Sequence, residues 1–473
     1  MTDAIAALWT ADAAAAATGG RLAGGSDWAA SGVSIDTRSL QPGDLFVALT
    51  DQRDGHDFAP AAFKAGASAA LVSREDAAQG PRLVVDDVQS ALEALGAAAR
   101  DRSSAIRIAV TGSVGKTSVK DALGAVCAAA GGAHWSVKSF NNHWGVPLTL
   151  ARMPQASTRG VFELGMNHAG EIRALTAQVR PHIAVITRIA PAHLENLGSM
   201  EAIADAKAEI FESLSDDGVA VLPADDEFSA RLADAVRASR AGFLLDFGFS
   251  ERAAVRVVSH TPDGEGAAVR FDVMGRPLSV KLAAAAPHHA VNAAAVLAAA
   301  CAAGVDTATA GDAISRQASS AGRGASFEIP VQGGGRAVIM DDSYNANPVS
   351  MNAAIDALAA RAPQRGGRRL AVIGEMLELG PQAAAYHAAL ASPLSEAGAH
   401  RVIGVGGLTE ALISALPQTA GARYANTPGE AFAMLISELR DGDVVLIKGS
   451  NASGVHKVVA MLHEHAAQAR TEA

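Results

Sequence analysis

Short apolar runs separated by longer amphipathic stretches set the rhythm of this chain. In the middle of the sequence such runs occupy 106–110, 161–163, 183–186 and 219–222. Each is separated from the next by enough residues for a helix, which predicts strand–helix alternation and a mainly parallel sheet flanked by helices. A second alternation begins near residue 324, with runs at 337–340, 370–373, 401–405 and 444–447, and predicts a Rossmann-like unit. Residues 1–86 mix short helices with strands at 44–49 and 83–85. The chain therefore reads as α/β in three domains, 1–86, 87–323 and 324–473, with Gly322-Arg323-Gly324 as the expected hinge between the last two. The stretch 251–281 has strand character, and no repeat of about 20–50 residues is visible.

Composition sharpens the picture only in places. With 473 residues, 49% of them hydrophobic and 19% charged, the chain can fill several cores and lacks the make-up of a disordered protein. A net charge of −10 argues against nucleic-acid binding as the main function, while leaving room for a local basic pocket. Cys127 and Cys301 stand in Ala-rich helical patterns and read as small core residues. They offer no disulfide framework, so a reducing cytoplasm is the simpler setting. Residues 1–20 contain Asp3 and Asp12 but no Lys or Arg, unlike the basic start of a secretory leader. The Ala-rich segment 282–303 is interrupted by Pro287, His288, His289 and Asn292, and no membrane span is expected.

Chemistry concentrates at the ends of the apolar runs, where open α/β sheets gather their ligands. The run at 106–110 leads into TGSVGKTS: Thr111, Gly112, Ser113, Val114, Gly115, Lys116, Thr117 and Ser118, with a helical pattern starting at once. Backbone N–H groups in such a turn cradle phosphates, and the helix N-terminus adds partial positive charge. Lys116 is expected against the β/γ-phosphates and the Thr117 hydroxyl on Mg²⁺. The general motif has glycine where Val110 stands, so the shorter form TGxxGKTS is the one that fits. A glycine-rich turn with no ligand is the competing reading, and the strand–loop–helix context weighs against it.

Glu163 ends the run at 161–163 and suits a Mg²⁺ shell, which takes one or two carboxylates beside phosphates and water. His193 follows the run that closes at Ile189. Each residue alone has a plain alternative, a strand-end acid and a loop histidine. Lys207 is less obvious. Ser199 can cap a helix on which Ile203, Lys207, Ile210 and Leu214 share one face, placing a lysine within an apolar stripe. Either the ammonium snorkels to water past its own stem, or it is desolvated and nucleophilic.

Together these segments resemble the Mur ligase family, ATP-dependent amino-acid or peptide ligases of peptidoglycan synthesis. The motifs that carry the resemblance are TGSVGKTS (111–118), NNHWGVP (141–147), ELGMNHAGEI (163–172), AHLENLGS (192–199), AKAEIF (206–211), HHAVN (288–292), GR (322–323) and DDSYNANPVSM (341–351). Within the family, DSYNANP followed by GEMLELG (374–380) is similar to members that join D-alanyl-D-alanine to UDP-N-acetylmuramoyl-tripeptide. The DNPR motif of members that add diaminopimelate is absent, and SIDTRSLQPGDLFVAL (34–49) resembles the UDP-binding domain of both groups.

The resemblance implies that ATP phosphorylates the acceptor's terminal carboxylate and that an amine attacks the acyl phosphate. It implies two Mg²⁺ ions, with Thr117 and Glu163 on the first and His193 on the second. Lys207, carbamylated by CO₂, would be an anionic oxygen ligand of that second ion, and Lys116, Lys207, His193 and Glu163 form the implied catalytic set. ATP would lie along residues 111–118, with Asn292 on the adenine edge, Asp342 on the ribose and Arg323 on the γ-phosphate. Thr37 and Arg38 would meet uridine or diphosphate, Asn141 and Asn142 the sugar–diphosphate, and Asn345 and Asn347 the D-Ala-D-Ala pocket. The implied enzyme is a cytoplasmic monomer that neither binds nucleic acid nor enters the membrane. Two features depart from the pattern: Asn451 replaces the arginine usual after KGS, and Pro287-His288-His289 alters the segment before Asn292. The alternatives are a family member that adds a single amino acid, diaminopimelate or lysine, and a phosphate-loop nucleotide switch.

Overall fold

A computed structural model describes residues 7–136, 138–263, 266–318 and 322–471. Residues 1–6, part of the N-terminal stretch without Lys or Arg, lie outside the described residues. Three sheets and a two-stranded ribbon carry the fold. The first sheet runs in the order Arg21–Ala23, Arg82–Val84, Ala69–Val72, Asp44–Val47 and Gly32–Ser34. Its first strand is antiparallel to its neighbour and the rest are parallel. Asp44–Val47 and Ala69–Val72 are buried along their whole length. Strands covered on both faces read as continuous apolar runs rather than as an alternation.

Helix Val88–Asp101, capped by the Asp87 side chain, bridges the first sheet and the central unit. Its Val88, Leu92, Leu95 and Ala99 share a core with Leu45 and Leu83 on one side and Leu148 and Ala151 on the other. Trp9 Nε1 donates to Ala151 O at 2.9 Å and fastens the N-terminal ribbon to the same place.

The central sheet has nine strands, in the order Arg276–Leu282, Gly266–Val273, Val255–Asp263, Phe243–Gly248, Val219–Pro223, Ile183–Ile186, Ile106–Thr111, Arg159–Glu163 and Ala133–Trp135. From Ala133–Trp135 to Val255–Asp263 every pairing is parallel, and the last two strands turn antiparallel. Ile106–Thr111 lies between Arg159–Glu163 and Ile183–Ile186, at the point where the strand order reverses. That is the crevice where doubly wound sheets bind ligands. Helix Pro287–Ala302 is apolar nearly all round and packs against helix Lys116–Ala129 and the sheet, so its alanines are the buried helix of this core and not a membrane segment. Among the described residues no helix is long and apolar enough to cross a membrane. Cys127 is buried in this core, and Cys301 packs against it partly exposed.

The third sheet has the order Ala325–Pro330, Arg336–Asp342, Val444–Lys448, Arg369–Gly374, Ala399–Val405 and Arg423–Ala425, parallel except for its first strand. Asp342 and Lys448 end neighbouring strands and stand directly opposite one another. Each strand read from the sequence is present, most of them lengthened by a residue or two, but the one expected at 44–49 stops at Val47, the one at 83–85 runs over Arg82–Val84, and Ala69–Val72 and Phe243–Gly248 were not anticipated. The short edge strands Arg21–Ala23, Ala133–Trp135 and Arg423–Ala425 escaped that reading, because three residues cannot establish an apolar pattern.

Candidate active site

The phosphate loop gets its shape from two glycines. Gly112 has φ +145° and Gly115 has φ +84°, the latter capping helix Lys116–Ala129 in the left-handed region. A Cβ on Gly112 would fall 2.0 Å from Thr187 Oγ1, and one on Gly115 would fall 2.8 Å from Asn292 Oδ1. The neighbouring strand end holds the loop from below. Thr187 Oγ1 donates to Val114 O at 2.5 Å, and Ser113 N donates to Arg188 O at 2.7 Å. Thr111 is fully buried and donates its hydroxyl to Leu164 O at 2.8 Å, so it serves the loop from behind.

Lys116 Nζ donates to Gly112 O at 2.8 Å, folding back over the loop. Burial pulls its pKa down, against the pull of the Glu163 carboxylate. Thr117 Oγ1 is a junction. It donates to Glu163 Oε2 at 2.8 Å and accepts from Arg323 Nη2 at 2.9 Å, with Ser139 Oγ 3.1 Å away. Glu163, 2% exposed, takes a second donor, Asn141 Nδ2, at 2.8 Å. Arg323 spans 206 residues of sequence to reach Thr117, and its guanidinium lies over the Tyr344 ring at 3.9 Å. Sequence reasoning therefore placed the loop, Glu163, Asn141 and Arg323 separately, and the fold brings them within contact of one another.

These groups line a cavity of about 520 Å³. Its other walls carry Asn292, His193 and Arg188 from the central unit, and Asp342, Asn345, Asn347 and Lys448 from the third unit. Lys448, 2% exposed, donates to Asp342 Oδ2 at 2.7 Å and to Asn345 O at 3.0 Å. Asn347 caps helix Pro348–Ala360 by accepting from Ser350 N. Asn142 is likewise engaged with backbone, accepting from Gly145 N at 2.9 Å at the start of helix Gly145–Ala151, and it lines neither large cavity.

Lys207 sits on helix Met200–Ala208, capped by Ser199 as its sequence suggests. The helix tightens into a 3₁₀ turn at Glu209–Phe211, yet Ile203, Ile210 and Leu214 are all buried. Lys207 is only 1% exposed, so it does not snorkel to water. No carboxylate among the described residues pairs with it. Burial and the nearby Lys116 charge push its pKa well below the ordinary lysine value. His193 opens a short helix, Leu194–Leu197, with φ +58°. Its Nδ1 lies 2.5 Å from Glu378 Oε2 of the third unit, a partner that sequence reasoning had no means of finding.

A second cavity, about 740 Å³, is lined by Thr37, Arg38, Arg53, Phe58, Lys138, Phe140, Trp144 and Arg152. Arg38 holds the neighbouring Asp36 carboxyl down to about 2 through a bidentate contact. Four cations against two carboxylates, Asp36 and Asp51, leave a net positive lining, and with several aromatic rings it suits an anionic, ring-bearing ligand.

Comparison with known proteins bears on the same regions. The model for the Mur ligase middle domain matches residues 110–300, that for the Mur ligase glutamate ligase domain 327–451, and that for the Mur ligase family catalytic domain 29–129. The chain is 34% identical over 454 residues to the UDP-N-acetylmuramoyl-tripeptide–D-alanyl-D-alanine ligase of Escherichia coli (strain K12), covering 93% of this chain and 95% of that one. Its fold is similar to the crystal structure of MurF from Acinetobacter baumannii, with a TM-score of 0.82, 29% identity, and 96% and 99% of the two chains covered. The MurF ligase from Thermotoga maritima in complex with ADP gives a TM-score of 0.75 at 25% identity, covering 92% and 98%.

Proposed function

The chain belongs to the Mur ligase family, and on that premise we infer that it is an ATP-dependent ligase joining D-alanyl-D-alanine to UDP-N-acetylmuramoyl-tripeptide in peptidoglycan precursor synthesis. The observation that carries this reading is the two-sided cavity. The phosphate loop and Glu163 form one wall, and Asp342, Asn345 and Lys448 form the facing one. A nucleotide switch needs only the first wall.

A carboxylate is a poor acyl donor because oxide is a poor leaving group. An oxygen of the tripeptide's terminal carboxylate attacks the γ-phosphorus, and ADP leaves. The dipeptide amine nitrogen then attacks the acyl carbon and loses its proton, and phosphate departs with the C–O bonding pair. The first step brings two anions together, so positive charge and close placement supply most of the catalysis. Lys116 and Arg323 provide protein charge at the loop. Asn292 faces the adenine, and Asp342 the ribose.

Among the described residues no three His, Cys, Asp or Glu side chains gather around one point. Mg²⁺ draws much of its shell from phosphate and water and needs few protein oxygens. The hard oxygens of Thr117 and Glu163, 2.8 Å apart, fit the first ion. His193 and Lys207 would hold the second, Lys207 as a carbamate. A buried lysine with no counter-ion among the described residues and a lowered pKa is the form of amine that adds CO₂, releasing a proton as the N–C bond forms. When bound, Mg²⁺ neutralises phosphate oxygens and orients them for displacement.

Residues 1–86, 87–323 and 324–473 act as units for the UDP moiety, ATP and the dipeptide. The 740 Å³ cavity takes the UDP moiety, its cations facing the diphosphate and its rings the uracil. The enzyme works as a cytoplasmic monomer. Phosphate release with UDP-tripeptide and D-Ala-D-Ala, but not with diaminopimelate or lysine as the amine, is the expected result. Equal turnover with a single amino acid would overturn the assignment.

A further inference from the structure

We propose that Glu378 is a positioning residue for His193: the third unit supplies a carboxylate that engages Nδ1 of the imidazole and leaves Nε2 to serve the phosphate cavity. Glu378 lies in the GEMLELG segment, 185 residues beyond His193. Its Oε2 lies 2.5 Å from His193 Nδ1, approaching obliquely to the N–H direction. Nδ1 is buried and has no other polar partner among the described residues.

The backbones meet as well as the side chains. Glu195 N donates to Glu378 O at 3.3 Å, and a Cβ on Gly380 would touch Glu195 at 3.4 Å. Both residues of the pair sit in the left-handed region, His193 at φ +58° and Glu378 at φ +64°. A non-glycine residue pays for that conformation, and such strain persists where surrounding structure holds it for use. Here two strained residues from different units face one another across the seam. Glu378 also feels the Lys116 charge, which places its carboxylate within the field of the phosphate loop.

A histidine that ligates a metal through one nitrogen is commonly fixed by a carboxylate on the other. Because this carboxylate comes from the third unit, His193 is properly aimed only while that unit is docked. Metal loading and docking of the dipeptide-binding unit are thereby coupled. The proposal rests on the reading of His193 as a metal ligand, and the test separates the two.

The test uses the full-length enzyme saturated with a non-hydrolysable ATP analogue. Mn²⁺ binding is followed by the electron paramagnetic resonance signal of the free ion, alongside kcat as a function of Mg²⁺. Glu378→Ala is expected to weaken the second Mn²⁺ site and lower kcat by about 10–100-fold, with KM for UDP-tripeptide within about twofold of wild type. Glu378→Gln, which keeps an acceptor oxygen, is expected to recover most of the loss. His193→Ala should weaken the same site at least as much. If Glu378→Ala binds Mn²⁺ like wild type while His193→Ala does not, the positioning role is wrong and the metal role of His193 survives. If both bind like wild type, the metal role falls and the proposal with it. Should Glu378→Ala fail to fold, Glu378→Met, which keeps the side chain's length without an acceptor oxygen, decides: a raised Mn²⁺ dissociation constant supports the proposal, and an unchanged one overturns it.

Discussion

Replacing Thr117 by valine isolates the junction at the head of the phosphate loop. Valine matches threonine in shape, so the change removes a hydroxyl and little else. That hydroxyl satisfies two charged groups, Glu163 Oε2 at 2.8 Å and Arg323 Nη2 at 2.9 Å, at a residue only 7% exposed. Neither partner is wholly stranded, since Glu163 keeps Asn141 and Arg323 keeps Ser139 at 3.3 Å. A hydrogen bond to a charged group contributes about 1.5–3 kcal/mol, so losing both while retaining the second partners should cost about 2–4 kcal/mol. For a domain of the central unit's size that corresponds to a fall in melting temperature of about 5–10 °C. Calorimetry of the nucleotide-free enzyme reads this directly, with Thr117→Ser as the control that keeps the hydroxyl and should stay within about 1 kcal/mol of wild type. Turnover of the valine variant should also need more Mg²⁺. A variant that melts within about 1 °C of wild type would show that Thr117 is not the link between Glu163 and Arg323, and would remove the structural reason for Arg323 to sit at the loop.

Other consequences can be checked independently. Lys207→Ala should abolish turnover while ATP still binds, and short carboxylic acids should restore part of the activity by occupying the vacated space; full activity without them would exclude a carbamate role. Gly115→Ala puts a Cβ 2.8 Å from Asn292 Oδ1 at φ +84°, so isothermal titration should show ATP affinity falling by about 5–150-fold, given a strain of about 1–3 kcal/mol; unchanged affinity would mean the loop can be rebuilt at little cost. His134 Nε2 donates to Thr149 O at 2.7 Å, and burial pushes the imidazole pKa down to about 4 from 6.5. Below pH 6.5 the unfolded chain takes up this proton and the folded one does not, so stability falls as pH drops towards 4, by up to about 3 kcal/mol. Urea unfolding between pH 7 and 4 should show a shallower decline for His134→Asn, and parallel curves would remove His134 from the account.

Legibility in the sequence followed the physics of each signal. Strands buried on both faces announce themselves as unbroken apolar runs, and the eight runs of the two larger units all became strands. The phosphate loop was equally plain, because its glycines, lysine and threonine are contiguous and each answers a local requirement. Lys207 was visible as a charge among apolar neighbours, but only the fold could distinguish snorkelling from enclosure. Ser139 and Arg188 left no comparable trace, and Glu378 showed only as part of the GEMLELG motif, with nothing to tie it to His193. A serine, an exposed arginine and a loop glutamate are ordinary where they stand, and their neighbours in space lie far away in sequence. The left-handed conformations of His193 and Glu378 are invisible too, since neither is the glycine that usually marks such a position.

What distinguishes the cavity from a simple nucleotide site is the way its two walls are joined. Arg323, in the hinge segment and tied to the third unit by Gly322 N and Gly324 N donating to Asp341, crosses to Thr117, and Glu378 crosses to His193. Asp342 and Lys448 form a pair within the third unit itself, opposite one another on neighbouring strands, so that wall is cross-linked without a ligand. The two crossing contacts carry opposite charge and converge on the two sides of the phosphate loop: a guanidinium on the Glu163 side and a carboxylate on the His193 side. Displacing the third unit would withdraw both at once, removing a cation from the phosphates and the support from the imidazole. A reaction that makes a hydrolysable acyl phosphate gains from that arrangement, because phosphoryl transfer is then poised only when the unit that delivers the amine is in place.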